Sequence, residues 1–98
     1  MTAKQRAYLR SMANTIEPVL HIGKDGITDN LVKQAWDALE ARELIKAVVL
    51  PSAPFEDTRT ACNALCERVH AESVQVIGSR FVLYRKARKN SKIDISAI

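Results

Sequence analysis

Gly23-Lys24-Asp25-Gly26 stands between a short apolar run and a well-capped helix start, and its residue types and spacing suit chemistry. Glycines at both ends let the backbone turn tightly and approach a ligand with no Cβ in the way. Thr28 would cap the following helix, whose first N–H groups are unpaired and whose dipole favours an anion. Lys24 at the tip adds a mobile positive charge suited to a phosphate, while Asp25 brings the opposite sign to the same place. Two readings stay open at this level: a plain β-to-α turn, or a clamp on phosphate groups.

Other candidate chemistry is thinner. Cys62, Cys66 and His70 fall four residues apart in what reads as one helix. Eight helical residues rise about 12 Å, so the outer two cannot share an ion at ligand distances of about 2 Å. The cysteines read instead as small apolar residues beside a core stripe. His21 lies in an apolar run and reads as a core or edge histidine. There is no serine or cysteine nucleophile motif, no paired-carboxylate signature and no Walker loop. The expectation is a non-enzymatic protein without metal, cofactor or small-molecule substrate. Trp36 sits on a helical apolar stripe and reads as core. Phe81 and Tyr84 point to opposite faces of a strand, one of which could stack a base, although burial is the simpler expectation.

Charge supplies the next constraint. The 98 residues carry 15 Lys+Arg against 11 Asp+Glu, a net charge of +4. Six of those bases (Arg80, Arg85, Lys86, Arg88, Lys89 and Lys92) fall in one acid-free stretch, so the rest of the chain is slightly acidic. A second acid-free stretch holds Lys4, Arg6 and Arg10. The first group begins against Phe81-Val82-Leu83-Tyr84, with Arg80 before it and Arg85 after it, so part of it should be fixed on folded structure, which suits a polyanion better than a loose tail. The chain has the size of one domain. No apolar run approaches the ~20 residues that span a bilayer. Two cysteines and a charged N-terminus fit a reduced, cytoplasmic protein, which is expected to be a monomer.

These residues must be positioned by local elements. Thr2 with Gln5 is a capping box for a first helix, with Tyr8, Met12 and Ile16 as its expected buried stripe and Pro18 as its stop. Val19 to Ile22 reads as a strand. Thr28 starts a second helix with its apolar stripe at Leu31/Val32, Ala35/Trp36 and Leu39. Leu44 to Leu50, short and β-branched, is a second strand. Ala61, Leu65 and Val69 mark a third helix, ending near His70 to Glu72. Val74 to Ile77 and Phe81 to Tyr84 flank Gly78-Ser79, a hairpin turn. The order α-β-α-β-α-β-β predicts an α/β domain with a four-stranded mixed sheet and two right-handed β-α-β crossovers.

The stretches HIGKDGITDNLV, ALEARELIKAVVL and VQVIGSRFVLYRK, in this order and spacing, resemble the YhbY-like family, also called the CRM domain (chloroplast RNA splicing and ribosome maturation). The resemblance runs from the first helix to Lys86. It implies a fold similar to the C-terminal domain of translation initiation factor three. It also implies that Gly23, Lys24, Asp25 and Gly26 form a GxxG loop that binds RNA, a use made of such loops in KH modules. Stand-alone bacterial members associate with precursors of the large ribosomal subunit, and this chain looks like that kind.

The combined expectation is one CRM domain over residues 1–98, with a basic tail from about residue 87. It would be a ribosome assembly factor contacting ribosomal RNA and no membrane. Gly23 to Gly26 and Thr28 would hold phosphates, and Lys4, Arg6, Arg10, Arg80, Arg85, Lys86, Arg88 and Lys89 would widen the footprint. Lys24→Glu or Gly26→Glu is then expected to weaken RNA binding without unfolding the domain. Two alternatives belong to other classes. An adaptor docked on a ribosomal protein would stay on ribosomal particles after RNase. A phosphate-site enzyme would show turnover, with only Asp25 or Asp29 near enough to act as a base.

Overall fold

The computed structural model describes residues 1–89, 91–96 and 98. The elements are α1 (Ala3–Ala13), β1 (Leu20–Ile22), α2 (Asp29–Arg42), β2 (Leu44–Val49), α3 (Thr58–Val69), β3 (Glu72–Ile77) and β4 (Arg80–Tyr84). Their order is the one read from the sequence. Each helix start has a side-chain cap: the reciprocal Thr2–Gln5 box for α1, Thr28 for α2 and Asp57 for α3. The third helix lacks a terminal glycine because His70 itself takes the left-handed conformation, with φ 57°. Its N–H donates to the carbonyl of Cys66.

The strands lie in the order β1-β2-β4-β3. β1 and β2 are parallel, and β4 pairs antiparallel with both β2 and β3. The second β-α-β unit is therefore split. β2 and β3 run the same way, but β4 lies between them, so only the first crossover joins adjacent parallel strands. The hairpin turns at Gly78, whose φ of +57° suits the first position of a two-residue turn. An extra residue in β3, Val74, stands between the Ser73–Leu83 and Gln75–Val82 pairs as a bulge.

Each face of the sheet carries a packed layer. On one, Phe81 and Leu83 of β4 join Ile45 and Ala47 of β2 beneath α2 and α3. On the other, Val82 and Tyr84 join Leu44 and Val74 beneath Leu9 and Ala13 of α1 and Ile93 of the C-terminal segment. Phe81 and Tyr84 face opposite ways, as expected, and both are buried. The apolar stripe of α1 differs from the expectation. Tyr8 is 42% exposed, and Leu9 and Ala13 make the contact instead. One residue along a helix rotates a side chain by about 100°, and the sheet selects the Leu9 side. The helix also ends at Ala13, five residues before Pro18, and Ile16 lies in the following turn beside Met12 at the rim of the second cluster.

The C-terminal segment is part of this packing, whereas a loose tail past residue 87 would leave it in solvent. Positions 90 and 97 of that tail lie outside the described residues. Glu43, which caps α2 at φ 67° and leads into β2, is 1% exposed and turns its carboxylate towards residues 87–93. It accepts hydrogen bonds from the amides of Ala87 and Ile93, both at 2.8 Å, from the amide of Lys92 and from the Ser91 hydroxyl at 2.9 Å. Its carbonyl accepts from the Arg85 amide at 2.9 Å.

Burial pushes the Glu43 pKa up, but the bonds from Ala87, Ile93, Lys92 and Ser91 outweigh it and hold the carboxyl below its ordinary value of 4.5. A carboxyl with a lowered folded-state pKa contributes stability above its unfolded pKa and loses it as pH falls through the folded one. Glu43→Gln is expected to cost about 2–3 kcal/mol at neutral pH. It should also flatten the fall in stability below about pH 5. Urea unfolding of both proteins at neutral and acid pH measures this, and parallel pH profiles would refute it.

Candidate nucleic-acid interface

The glycine loop leaves β1 at Ile22, which is fully buried and whose carbonyl accepts from the Leu50 amide at 2.9 Å. The Gly26 amide donates to the Gly23 carbonyl at 3.0 Å, closing a turn with Lys24 and Asp25 exposed at its tip. Thr28 Oγ1 then accepts from the Leu31 amide at 3.1 Å. The amides of Asp29 and Asn30 remain at the open end of α2. A concavity of about 340 Å³ lies there, lined among others by His21, Gly23, Lys24, Asn30 and Gln34. A backbone turn, a helix start and a lysine thus converge on one open recess, an arrangement suited to phosphate oxygens. The Asp29 carboxylate meets Arg68 of α3 at 3.2 Å, which offsets one of the acids beside the recess.

The two glycines have different reasons to be there. Gly26 has φ +69°, and a Cβ on it would lie 3.2 Å from Cγ of Pro54. Gly23 has ordinary backbone, and a Cβ there would meet only Leu50 Cδ1 at 3.8 Å. Gly26→Glu therefore perturbs the loop itself and does not isolate RNA contact from folding. Lys24→Glu does, because Lys24 is exposed and away from the core.

The candidate basic residues do not form one patch. Arg80 opens β4 at the same end of the sheet as the glycine loop, while Lys86, Arg88 and Lys89 follow its other end, a strand length of about 17 Å away. Lys4 and Arg10 are exposed on α1, but Arg6 donates to the Ser73 carbonyl and helps tie α1 to β3. Arg85 is the most committed. Its guanidinium meets Glu40 at 2.8 Å and the Val69 carbonyl at 2.9 Å, and lies 4.0 Å over the Trp36 ring. Arg88 adds a second cation 5.2 Å from that ring. Trp36 is half-buried against the core and meets His70 edge-on. The spacing of Arg85 in the basic run gave no sign of this role.

The cysteines are both buried, with Sγ atoms 3.9 Å apart. The contact with Cys62, together with burial, pushes the Cys66 thiol far up, so it stays protonated. Lys46, His21, Asn30 and Gln34 were not singled out as site residues from sequence. Lys46 had a visible signal, being the one charge inside the apolar run Leu44 to Leu50, with Ile45 and Ala47 on the other face of that strand.

Alanine at the two glycines separates backbone need from open space. Gly26→Ala is expected to lower stability by about 1–2 kcal/mol, since an L side chain is strained at positive φ. Gly23→Ala should stay within about 0.5 kcal/mol of the parent. Chemical unfolding of both variants checks this, and equal losses would show that the turn does not depend on Gly26.

Comparison with known proteins gives the family and the fold. The family model described as "CRS1 / YhbY (CRM) domain" matches residues 1–85. A Bacillus subtilis (strain 168) relative named "Probable RNA-binding protein YqeI" is 41% identical over 95 residues, covering 97% of this chain and 98% of the relative. A Haemophilus influenzae relative named "RNA-binding protein" is 33% identical over 95 residues, covering 97% of this chain and 94% of its own length. The solution structure of "hypothetical protein SAV1595 from Staphylococcus aureus" superposes with a TM-score of 0.79 at 47% identity, covering 96% of this chain and 97% of that one. A family match across most of the chain, with relatives and a solved fold of nearly the same length, means that this chain belongs to the CRS1/YhbY (CRM) domain family.

Proposed function

We propose that this protein binds RNA through the glycine loop and acts, without catalysis, as an assembly factor on ribosomal RNA in precursors of the large subunit. The observation that carries the reading is the Gly23–Gly26 turn, which presents Lys24 beside the open start of α2. The names of the relatives support RNA as the partner class. The ribosomal step rests on the family resemblance of the glycine loop and the two strand motifs.

In this reading Gly23 and Gly26 let the backbone approach a phosphate, the amides at the start of α2 donate to its oxygens, Thr28 holds the helix start, and Lys24 supplies the charge. Lys4, Arg10, Arg80, Lys86, Arg88 and Lys89 extend the field. Arg6 and Arg85 support the fold that carries them. Such contacts fix position more than sequence, so binding is salt-sensitive and modestly selective. The protein works as a monomer in the cytoplasm. Among the described residues no helix is long and apolar enough to cross a membrane.

Filter binding to large-subunit ribosomal RNA tests the proposal. Lys24→Glu is expected to reduce affinity on the order of tenfold and to make the salt dependence shallower by about one unit of slope. Unchanged affinity in a folded Lys24→Glu protein would remove the loop from the interface. Sedimentation with precursor particles before and after RNase tests the ribosomal step, and retention after RNase would favour a protein partner.

A further inference from the structure

The strand register carries the interface beyond the loop. β1 pairs His21 with Val48 of β2, β2 pairs Val48 with Arg80 of β4, and β4 pairs Arg80 with Ile77 of β3. Paired residues share a face of a sheet, so His21, Val48, Arg80 and Ile77 form one row across all four strands. The flanking residues of β1 and β2, including Leu20, Ile22, Ala47 and Val49, pack under α2 and α3, so this row lies on the α1 face. Three strand spacings make it about 14 Å wide.

This row is the part of that face which α1 does not reach. The helix stops at Ala13 after covering Leu44, Val82 and Tyr84. Beyond it His21 and Arg80 are exposed, and Ile77 is 62% exposed, the most open large apolar side chain among the described residues. The next row, Lys46–Val82–Gln75, borders a groove of about 180 Å³ that also takes in Asn14, Ile77 and Arg80. Lys46 and Arg80 are diagonal neighbours on adjacent strands, about 7–8 Å apart at the backbone. No acidic residue lines the groove, and Lys46 and Arg80 have no hydrogen-bond or ion-pair partner for their side chains among the described residues. His21 stands at both sites, since it also lines the recess at the glycine loop.

Resting on the RNA-binding reading above, we infer that the open row on the α1 face is a second contact for the same RNA, an unpaired segment that runs from the glycine loop along His21 and over Arg80 to Ile77. Two cations without acids match a phosphodiester backbone. The Arg80 guanidinium and the exposed Ile77 offer surfaces to a base, and the Gln75 and Asn14 amides offer both donors and acceptors to a base edge. A base must be free of its helix to enter a groove of this size, which selects single strands, loops or bulges over continuous duplex.

The test compares wild type, Lys24→Glu and the double variant Lys46→Gln/Arg80→Glu, each checked for folding by circular dichroism. The probe is an oligouridine of about twelve nucleotides, with a duplex of the same length as control. The double variant is expected to lose on the order of tenfold in affinity for the single strand, with a salt slope shallower by about 1.4, and to lose clearly less with the duplex, for which only the field of the lost charges is felt. Photo-crosslinking of 4-thiouridine RNA to wild type should mark the peptide containing Ile77 and Arg80. Wild-type affinity in the double variant, beside weakened binding in Lys24→Glu, would overturn the second contact and leave the loop. Equal losses on strand and duplex would overturn its preference for unpaired RNA. Displacement of RNA from the groove by a polyglutamate peptide at lower concentration than by oligouridine would assign it to an acidic protein and overturn the inference. Absence of RNA binding by wild type would overturn the RNA reading itself.

Discussion

Strand β4 is the constraint on which the other layers depend. It has a hydrogen-bonded neighbour on each side and a hydrophobic layer on each face, so its five residues are read from four directions. Phe81 and Leu83 anchor the layer of α2 and α3, and Val82 and Tyr84 anchor the layer of α1 and the C-terminal segment. A slip of one residue would exchange these two sets between unlike layers. The Val74 bulge lets β3 follow β4 while delivering one more apolar side chain to the α1 layer.

Glu43 closes the opposite end of the molecule by a different kind of force. Its buried charge is tolerated because four donors from one short segment converge on it. The same donors hold that segment on the sheet, with Ala87 and Ile93 buried. Nearby, the Arg85 guanidinium binds Glu40 and the Val69 carbonyl over Trp36, joining α2, α3 and the residue after β4. Two charged residues thus act as joints of the fold. Among the candidate basic side chains left exposed, Lys24 and Arg80 lie at the glycine-loop end of the sheet, Lys86, Arg88 and Lys89 follow the other end, and Lys4 and Arg10 stand on α1.

The legibility of the sequence varies with the range of the interaction. Thr2, Thr28, Gly26 and Gly78 act within a few residues of themselves, so capping and turn chemistry located them directly. Apolar periodicity located α2 and α3, whose stripes at Leu31, Ala35 and Leu39 and at Ala61, Leu65 and Val69 are buried. It placed the stripe of α1 one step off its centre: Met12 and Ile16 do pack at the rim of the layer, but Tyr8 is exposed and Leu9 and Ala13 are the fully buried residues, a choice between adjacent stripes that only the sheet beneath makes. Arg85 was legible as a charge but not as a joint, since Glu40 and Val69 lie 45 and 16 residues away. Lys46 showed itself as a charge in an apolar strand, but its relation to Arg80 depends on cross-strand register.

Caps, turns and hydrophobic periods are local, so the sequence by itself determined the seven elements, their order and the presence of a glycine loop before a capped helix. Pairing partners, the face taken by each helix and the fate of each charge depend on contacts between distant segments. Those were decided by the tertiary structure. It inserted β4 between β2 and β3, set α1 on the face opposite α2 and α3, and left the row from His21 to Ile77 open beyond the end of α1. The physical reason is that one short helix covers only the rows of side chains it can reach, and which rows those are depends on strand register.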